Sequence, residues 1–165
     1  MGMNLTAEQL TILSPPYRYI IDTCSIISQK PDEPHRRNVY NTLWERIDEL
    51  VREHAIVTCS EILDAVEDED LRKWLNRHQC VVLDIDNDIQ QLVTQIVTKH
   101  PELIDFKNIK SSADAFLIAT AMKYRLLVIT EENKTSLKRI PKICDAYGIS
   151  CFNITELAEK EGWQF

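Results

Sequence analysis

Short apolar runs alternate along the chain with longer stretches in which apolar residues recur every three or four positions. The short runs are rich in Ile, Val and aromatic residues and end at polar positions, which is typical of buried β-strands. They predict five strands, at residues 19–21, 55–57, 81–83, 126–129 and 151–152.

The longer stretches have the spacing of amphipathic helices, whose apolar residues lie on one face. Three groups show this spacing: Val39, Leu43, Ile47 and Leu50; Leu71, Trp74 and Leu75; and Ile89, Leu92, Val93, Ile96 and Val97. Residues 113–122 differ, since they are apolar nearly all round except at Asp114 and Thr120. That pattern predicts a helix largely buried in the domain, with Ser112 as its N-cap.

Alternation of strands and helices implies β-α-β crossovers and a mostly parallel sheet. The expected fold class is therefore α/β, a three-layer α/β/α sandwich with a central, mostly parallel sheet. Pro15 and Pro16 mark a boundary between a leader at residues 1–16, predicted to hold a short helix, and a single domain at residues 17–165. Its last helix is predicted to follow Asn153, with Glu156 in its first turn, and to end before Gly162. In such sheets, ligands bind beyond the carboxyl ends of the strands.

The composition is that of a globular protein. The 165 residues, 44% apolar and 27% charged, suit one domain with its own core. Three isolated glycines exclude a glycine-rich phosphate-binding loop. Five cysteines occur without a C-x-x-C pair, and neither an export signal nor an apolar run of membrane-spanning length is found. These features predict a reduced protein in the cytoplasm, not in a membrane.

The chain is acidic, with 26 Asp and Glu against 19 Lys and Arg and a formal net charge of −7. This balance argues against a broad basic face for nucleic acid. It is compatible with a small cluster of carboxylates that binds a divalent metal. The positions of the acids in the predicted fold therefore carry the most information.

Four acids end a predicted strand or open a predicted helix: Asp22, Glu61, Asp114 and Glu132. If the strand order brings them together, their mutual repulsion requires raised pKa values or a bound cation. Carboxylate oxygens favour Mg²⁺ or Mn²⁺. Each acid taken alone has a simpler interpretation as a capping or first-turn residue, so the metal hypothesis rests on the four together.

Four segments resemble the motifs of PIN-domain nucleases, in the same order and at similar spacings. They are residues 20–27, 60–63, 112–121 and 127–132. The resemblance covers roughly residues 17–155. The end of the chain is similar to an uncharacterised prokaryotic subfamily close to the toxins of toxin–antitoxin pairs.

The resemblance implies a PIN-like fold and metal-dependent hydrolysis of phosphodiester bonds in single-stranded RNA. One or two Mg²⁺ or Mn²⁺ ions would lower the pKa of a bound water and neutralise charge on the scissile phosphate. The implied catalytic and metal-binding residues are Asp22, Glu61, Asp114 and Glu132. The implied partners are the RNA substrate, a cognate antitoxin protein and a second copy of the chain in a homodimer.

Two positions depart from the family pattern. Cys24 stands where many PIN proteins have Asn, and Glu132 stands where many have Asp. Glu131 could replace Glu132 as the fourth acid, so the two remain alternatives. A strand-end threonine often accompanies the acids in this family, which makes Thr130 a supporting candidate and Thr23 a weaker one.

Two other functions are open at this point. A haloacid-dehalogenase-like phosphatase also begins with a strand that ends in Asp, but its chemistry needs a second Asp where Cys24 stands. A PIN-like module without catalysis would use the fold only to bind a partner.

Some basic and aromatic residues have two possible roles. Trp44 and Trp74 have helical spacings that indicate packing or else a dimer surface. The basic residues that could contact RNA phosphates, or be solvated surface residues instead, are Arg36, Arg37, Lys138, Arg139 and Lys142.

Overall fold

The computed structural model describes residues 16–103, 112–132 and 140–165. Within them five parallel strands form one sheet, which confirms the strands predicted from the apolar runs. The strands are β1 (Tyr19–Ile21), β2 (Ile56–Cys59), β3 (Val81–Leu83), β4 (Leu127–Ile129) and β5 (Cys151–Phe152). The predicted leader helix lies outside the described residues.

The strand order is β3-β2-β1-β4-β5, and each neighbouring pair is parallel. The chain builds outward from β1 to β3 and then returns to place β4 on the other side of β1. The direction of winding therefore changes between β1 and β4. Ligands of open α/β sheets bind at the carboxyl ends of the strands, at such a switch point.

Helices flank the sheet, which gives the three-layer α/β/α sandwich expected from the sequence. In the described part of the chain they are α1 (Thr23–Ile27), α2 (Asn41–Arg52), α3 (Ser60–Ala65), α4 (Glu69–Arg77), α5 (Asn87–Lys99), a 3₁₀ turn (Pro101–Leu103), α6 (Ser112–Tyr124), α7 (Ile140–Ala146) and α8 (Ile154–Glu161). Over those same ranges, no helix combines the length and hydropathy of a membrane span.

The helix predicted to be buried is α6, which packs against α3 and against β1, β2 and β4. Its residues Leu117, Ile118 and Ala121 have no exposed surface. Burial of each large aliphatic side chain contributes roughly 1.5–3 kcal/mol. The amide of Leu126 donates to the carbonyl of Ala121 at 2.9 Å, which ties the end of α6 to the start of β4. The first turn of α6 consequently lies at the carboxyl edge of the sheet.

Two predicted helix starts differ from the structure. Val39 fits the spacing of the α2 face but lies before α2, and it is 63% exposed. Its amide donates to the carbonyl of Arg36 at 3.1 Å, so it belongs to a turn and not to the helix. Ser112, expected as an N-cap, is the first helical residue of α6.

Both ends of the last helix, α8, lie where the sequence predicts them. Asn153 caps α8, and Glu156 completes the capping box by accepting from the Asn153 amide at 3.1 Å. Gly162 ends the helix at φ 75° in the left-handed region, which a residue without a Cβ adopts at little cost.

Gly162→Ala is expected to lower the free energy of unfolding by about 1 kcal/mol. No atom lies within 4 Å of the position that a Cβ would take, so the loss comes from backbone strain alone. Denaturant unfolding measures it. Gly162→Asn is the control, since Asn tolerates this conformation better than Ala. Equal losses for the two variants would contradict backbone strain as the cause.

Candidate active site

The switch point between β1 and β4 holds the first of the predicted acids. Asp22 directly follows β1, and its amide donates to the carbonyl of Ile129 at 2.9 Å. Thr130 follows β4 and lies beside it. Because parallel strands end at the same edge, residues far apart in sequence meet here.

The carboxylate of Asp22 is almost completely enclosed, with 3% of the residue exposed. Asp22 is the N-cap of α1, and its Oδ1 accepts from the amide of Thr23 at 2.8 Å. Its Oδ2 accepts from the thiol of Cys24 and from the hydroxyl of Thr130, each at 3.0 Å. Burial raises the pKa of Asp22 above its ordinary range, while these three hydrogen bonds act to lower it.

Two backbone amides support the groups that surround Asp22. The amide of Glu131 donates to Sγ of Cys24 at 3.3 Å, and the amide of Glu132 donates to Oγ1 of Thr130 at 3.2 Å. Sγ of Cys24 and Oγ1 of Thr130 are themselves 3.4 Å apart. The turn after β4 thereby holds both side chains against the carboxylate.

The carboxylates of Glu131 and Glu132 each bond to the start of a helix. Oε1 of Glu131 accepts from the amide of Ile154 at 2.7 Å, at the first residue of α8. Oε2 of Glu132 accepts from the amide of Ile140 at 2.8 Å, at the first residue of α7. Both acids therefore satisfy helix amides that lack a partner within their own helix. They remain alternatives for the fourth acid.

Glu61 and Asp114 occupy the first turns of α3 and α6, as predicted, and both are half-buried. Helix α3 follows β2 directly and packs against α6, so both first turns lie at the carboxyl edge that also holds Asp22. Of the two predicted supporting residues, Thr130 donates its side-chain hydroxyl to Asp22 and Thr23 donates its backbone amide. Cys24 also donates to Asp22 through its thiol.

The donors at this edge fit Mg²⁺ or Mn²⁺ in their chemistry, because hard cations take carboxylate oxygens. In the described ranges, however, no three side chains of Asp, Glu, His or Cys form a group that could surround a metal ion.

The sequence did not reveal a second polar network, which is centred on Asp48 of α2. Arg37 donates to both of its carboxylate oxygens, at 2.6 and 3.0 Å, and the indole of Trp74 donates to Oδ1 at 2.7 Å. Arg37 therefore pairs with an acid, and its contact with RNA phosphates stays a prediction. Trp44 is fully buried and Trp74 nearly so, which makes them packing residues and means that these two side chains do not form a dimer surface.

The fold and the edge of the sheet define a class of protein: a doubly wound α/β domain with a buried aspartate at the switch point. Residues 19–165 match the model of a family described as a domain of unknown function, DUF4411. The chain belongs to this family. A comparison with curated proteins finds no match.

Proposed function

We propose that the protein is a metal-dependent phosphodiesterase of the PIN type, an endoribonuclease that cleaves single-stranded RNA. The observation that carries the proposal is the carboxylate of Asp22, held at the switch point by Cys24 and Thr130. Glu61 and Asp114 support it from helix starts at the same edge. The order of these acids along the chain is also that of the PIN motifs.

Each group at the edge has a role in this chemistry. When bound, Mg²⁺ or Mn²⁺ supplies positive charge beside the scissile phosphate and lowers the pKa of a water ligand. Asp22, Glu61 and Asp114 would hold the ion, directly or through water. Thr130 orients the carboxylate of Asp22, and Glu132 adds negative charge to the same edge.

The net charge of −7 is consistent with this proposal. The four proposed site carboxylates account for −4, which leaves only −3 for the rest of the chain. RNA is repelled by an uncompensated cluster of carboxylates, and the repulsion falls when a cation is bound. RNA affinity should accordingly be weak without a divalent metal.

The biological role that we propose is that of a toxin in a toxin–antitoxin pair, acting in the cytoplasm as a homodimer. The resemblance to PIN toxins supports this role. An antitoxin protein would silence the enzyme by covering the acidic edge.

Removal of divalent metal is expected to abolish RNA cleavage. A labelled single-stranded RNA is incubated with the protein in Mg²⁺, in Mn²⁺ and in EDTA, and the products are resolved by electrophoresis. Glu61→Gln and Asp114→Asn should each lower the rate roughly 100-fold or more, because each removes a charge that binds the ion.

The matched controls are Glu69→Gln and Asp70→Asn, which change exposed acids in the first turn of α4. Both controls should cleave at the wild-type rate. Cleavage that persists in EDTA, or that is indifferent to the changes at Glu61 and Asp114, would exclude the proposed chemistry.

A second candidate function is partner binding without catalysis. Three large apolar side chains, Val39, Tyr40 and Phe165, are 63%, 46% and 71% exposed and line one groove of about 360 Å³. Such a patch is typical of an interaction surface. A calorimetric titration that finds no Mg²⁺ or Mn²⁺ affinity would favour this function over the nuclease.

A haloacid-dehalogenase-like phosphatase fits less well. Its acid/base group would stand at Cys24, and the thiol there already donates to Asp22.

A further inference from the structure

Cys24 and Thr130 make the same pair of hydrogen bonds. Each accepts from one backbone amide of the turn after β4, at Glu131 and Glu132 respectively. Each lies 3.0 Å from Oδ2 of Asp22 and donates to it. Two side chains thus connect one turn to one carboxylate oxygen.

The direction of the thiol bond follows from its surroundings. Sγ of Cys24 accepts from the amide of Glu131, and its single proton is left for Asp22. The thiol is therefore the donor of the bond to Asp22.

The hydrogen bonds from described residues leave one direction open on the carboxylate of Asp22. A carboxylate has about four lone-pair sites, two on each oxygen. Thr23 occupies one site on Oδ1, while Cys24 and Thr130 occupy both sites on Oδ2. Among the described residues no other group bonds to Oδ1, so one site remains on it, and its direction is set by the donors that hold the other three.

We propose that Cys24 is a positioning residue, whose thiol fixes the carboxylate of Asp22 so that one oxygen, Oδ1, is presented to a ligand at the edge of the sheet. The identity of that ligand as a divalent cation rests on the proposed function. The positioning of Asp22 by Cys24 does not depend on it. A thiol suits this position because Sγ is within hydrogen-bonding distance of two groups, the amide of Glu131 after β4 and the carboxylate of Asp22 that caps α1.

The first measurement is amide hydrogen exchange by NMR on the full chain without metal. Cys24→Ala and Cys24→Val both remove the donor, and Val keeps the volume of the side chain. In both variants the amide of Thr23 should exchange about tenfold faster, because its acceptor Oδ1 is no longer held in place. Cys24→Ser keeps a donor and an acceptor and should restore the wild-type rate.

The second measurement is Mn²⁺ affinity by calorimetry. Loss of a group that orients a metal ligand weakens binding roughly 10- to 100-fold. We expect that loss in Cys24→Ala and Cys24→Val, with affinity recovered in Cys24→Ser. Cys80→Ala is the matched control, since Cys80 precedes β3 at the opposite edge and its thiol donates to the backbone carbonyls of Ile56 and Val81.

The outcomes separate the two proposals. Wild-type protein that does not bind Mn²⁺ would contradict the metal-dependent function, and the exchange data would still decide the role of Cys24. If the alanine and valine variants accelerate exchange only at the Glu131 amide, with the Thr23 amide and Mn²⁺ affinity within twofold of wild type, the positioning role is wrong. Failure of serine to restore the rate would also overturn it.

Discussion

Asp22→Asn is expected to lower the rate of RNA cleavage by about a thousandfold while leaving the protein folded. A bound metal contributes several kcal/mol of transition-state stabilisation, and about 4 kcal/mol corresponds to a thousandfold change in rate. The amide of Asn has no negative charge with which to hold the ion. The rate is measured with labelled single-stranded RNA in Mg²⁺.

The fold should survive this substitution because Asn is as good an N-cap as Asp. Burial disfavours the charged form of Asp22, so a neutral side chain relieves that cost. The free energy of unfolding should consequently stay within roughly 1–2 kcal/mol of the wild-type value.

Asp86→Asn is the matched control for Asp22→Asn. Asp86 is also an N-cap, for α5, and it follows β3 at the same edge of the sheet. It forms an ion pair with Lys123 and is no part of the proposed site. The control should cleave RNA normally. Wild-type cleavage by the Asp22→Asn protein would refute the assignment of the site.

Asp48→Ala is expected to lower the free energy of unfolding by about 3 kcal/mol. Removing one partner of a buried ion pair costs roughly 3–5 kcal/mol. The smaller figure is expected here, because the side chain of Arg37 is 30% exposed and keeps some contact with water. The indole N–H of Trp74 would also lose its acceptor. Urea unfolding measures the loss.

The contribution of Asp48 should depend on pH in a defined direction. Burial acts to raise the pKa of this carboxyl, but hydrogen bonds and charge from Arg37, with the Trp74 bond, hold it below its ordinary value of 3.8. The folded pKa is thus below the unfolded one. The stabilisation is full above the unfolded pKa and is lost as the pH falls through the folded pKa. The difference between wild type and Asp48→Ala should accordingly shrink in acid.

The control for Asp48→Ala is Asp145→Ala, which removes an exposed Asp on α7. It should change the free energy of unfolding by less than about 0.5 kcal/mol. The double variant Arg37→Met with Asp48→Leu should lose less than Asp48→Ala, because no unpaired charge is left buried. An equal loss in the two variants, or a loss that does not change with pH, would contradict this account of the network.

The fold was largely predictable because its signals are local. The apolar runs and the helical periods depend only on which face of an element is covered. Val39 is an exception to this agreement between sequence and structure. Val39 has the spacing of a helix residue, but the turn that begins at Arg36 takes it out of α2.

The candidate site was predictable residue by residue, but its contacts were not. Asp22, Glu61 and Asp114 could be placed at strand ends and helix starts by pattern alone. Thr130 could be named only as a supporting candidate, and Cys24 only as a departure from the family pattern. Nothing in the sequence indicated that Glu131 and Glu132 bond to the first amides of helices α8 and α7.

The sequence by itself determined the strands, most helices and the positions of the acids, since these follow from periodicity and capping within a few residues. Only the tertiary structure decided that β1 lies at the centre, with β4 beside it. That order brings Thr130 to Asp22 across 108 positions. The tertiary structure also decided that Arg37, in the loop before α2, pairs with Asp48 of that helix. Such contacts depend on how whole elements pack together, and no local pattern of residues encodes them.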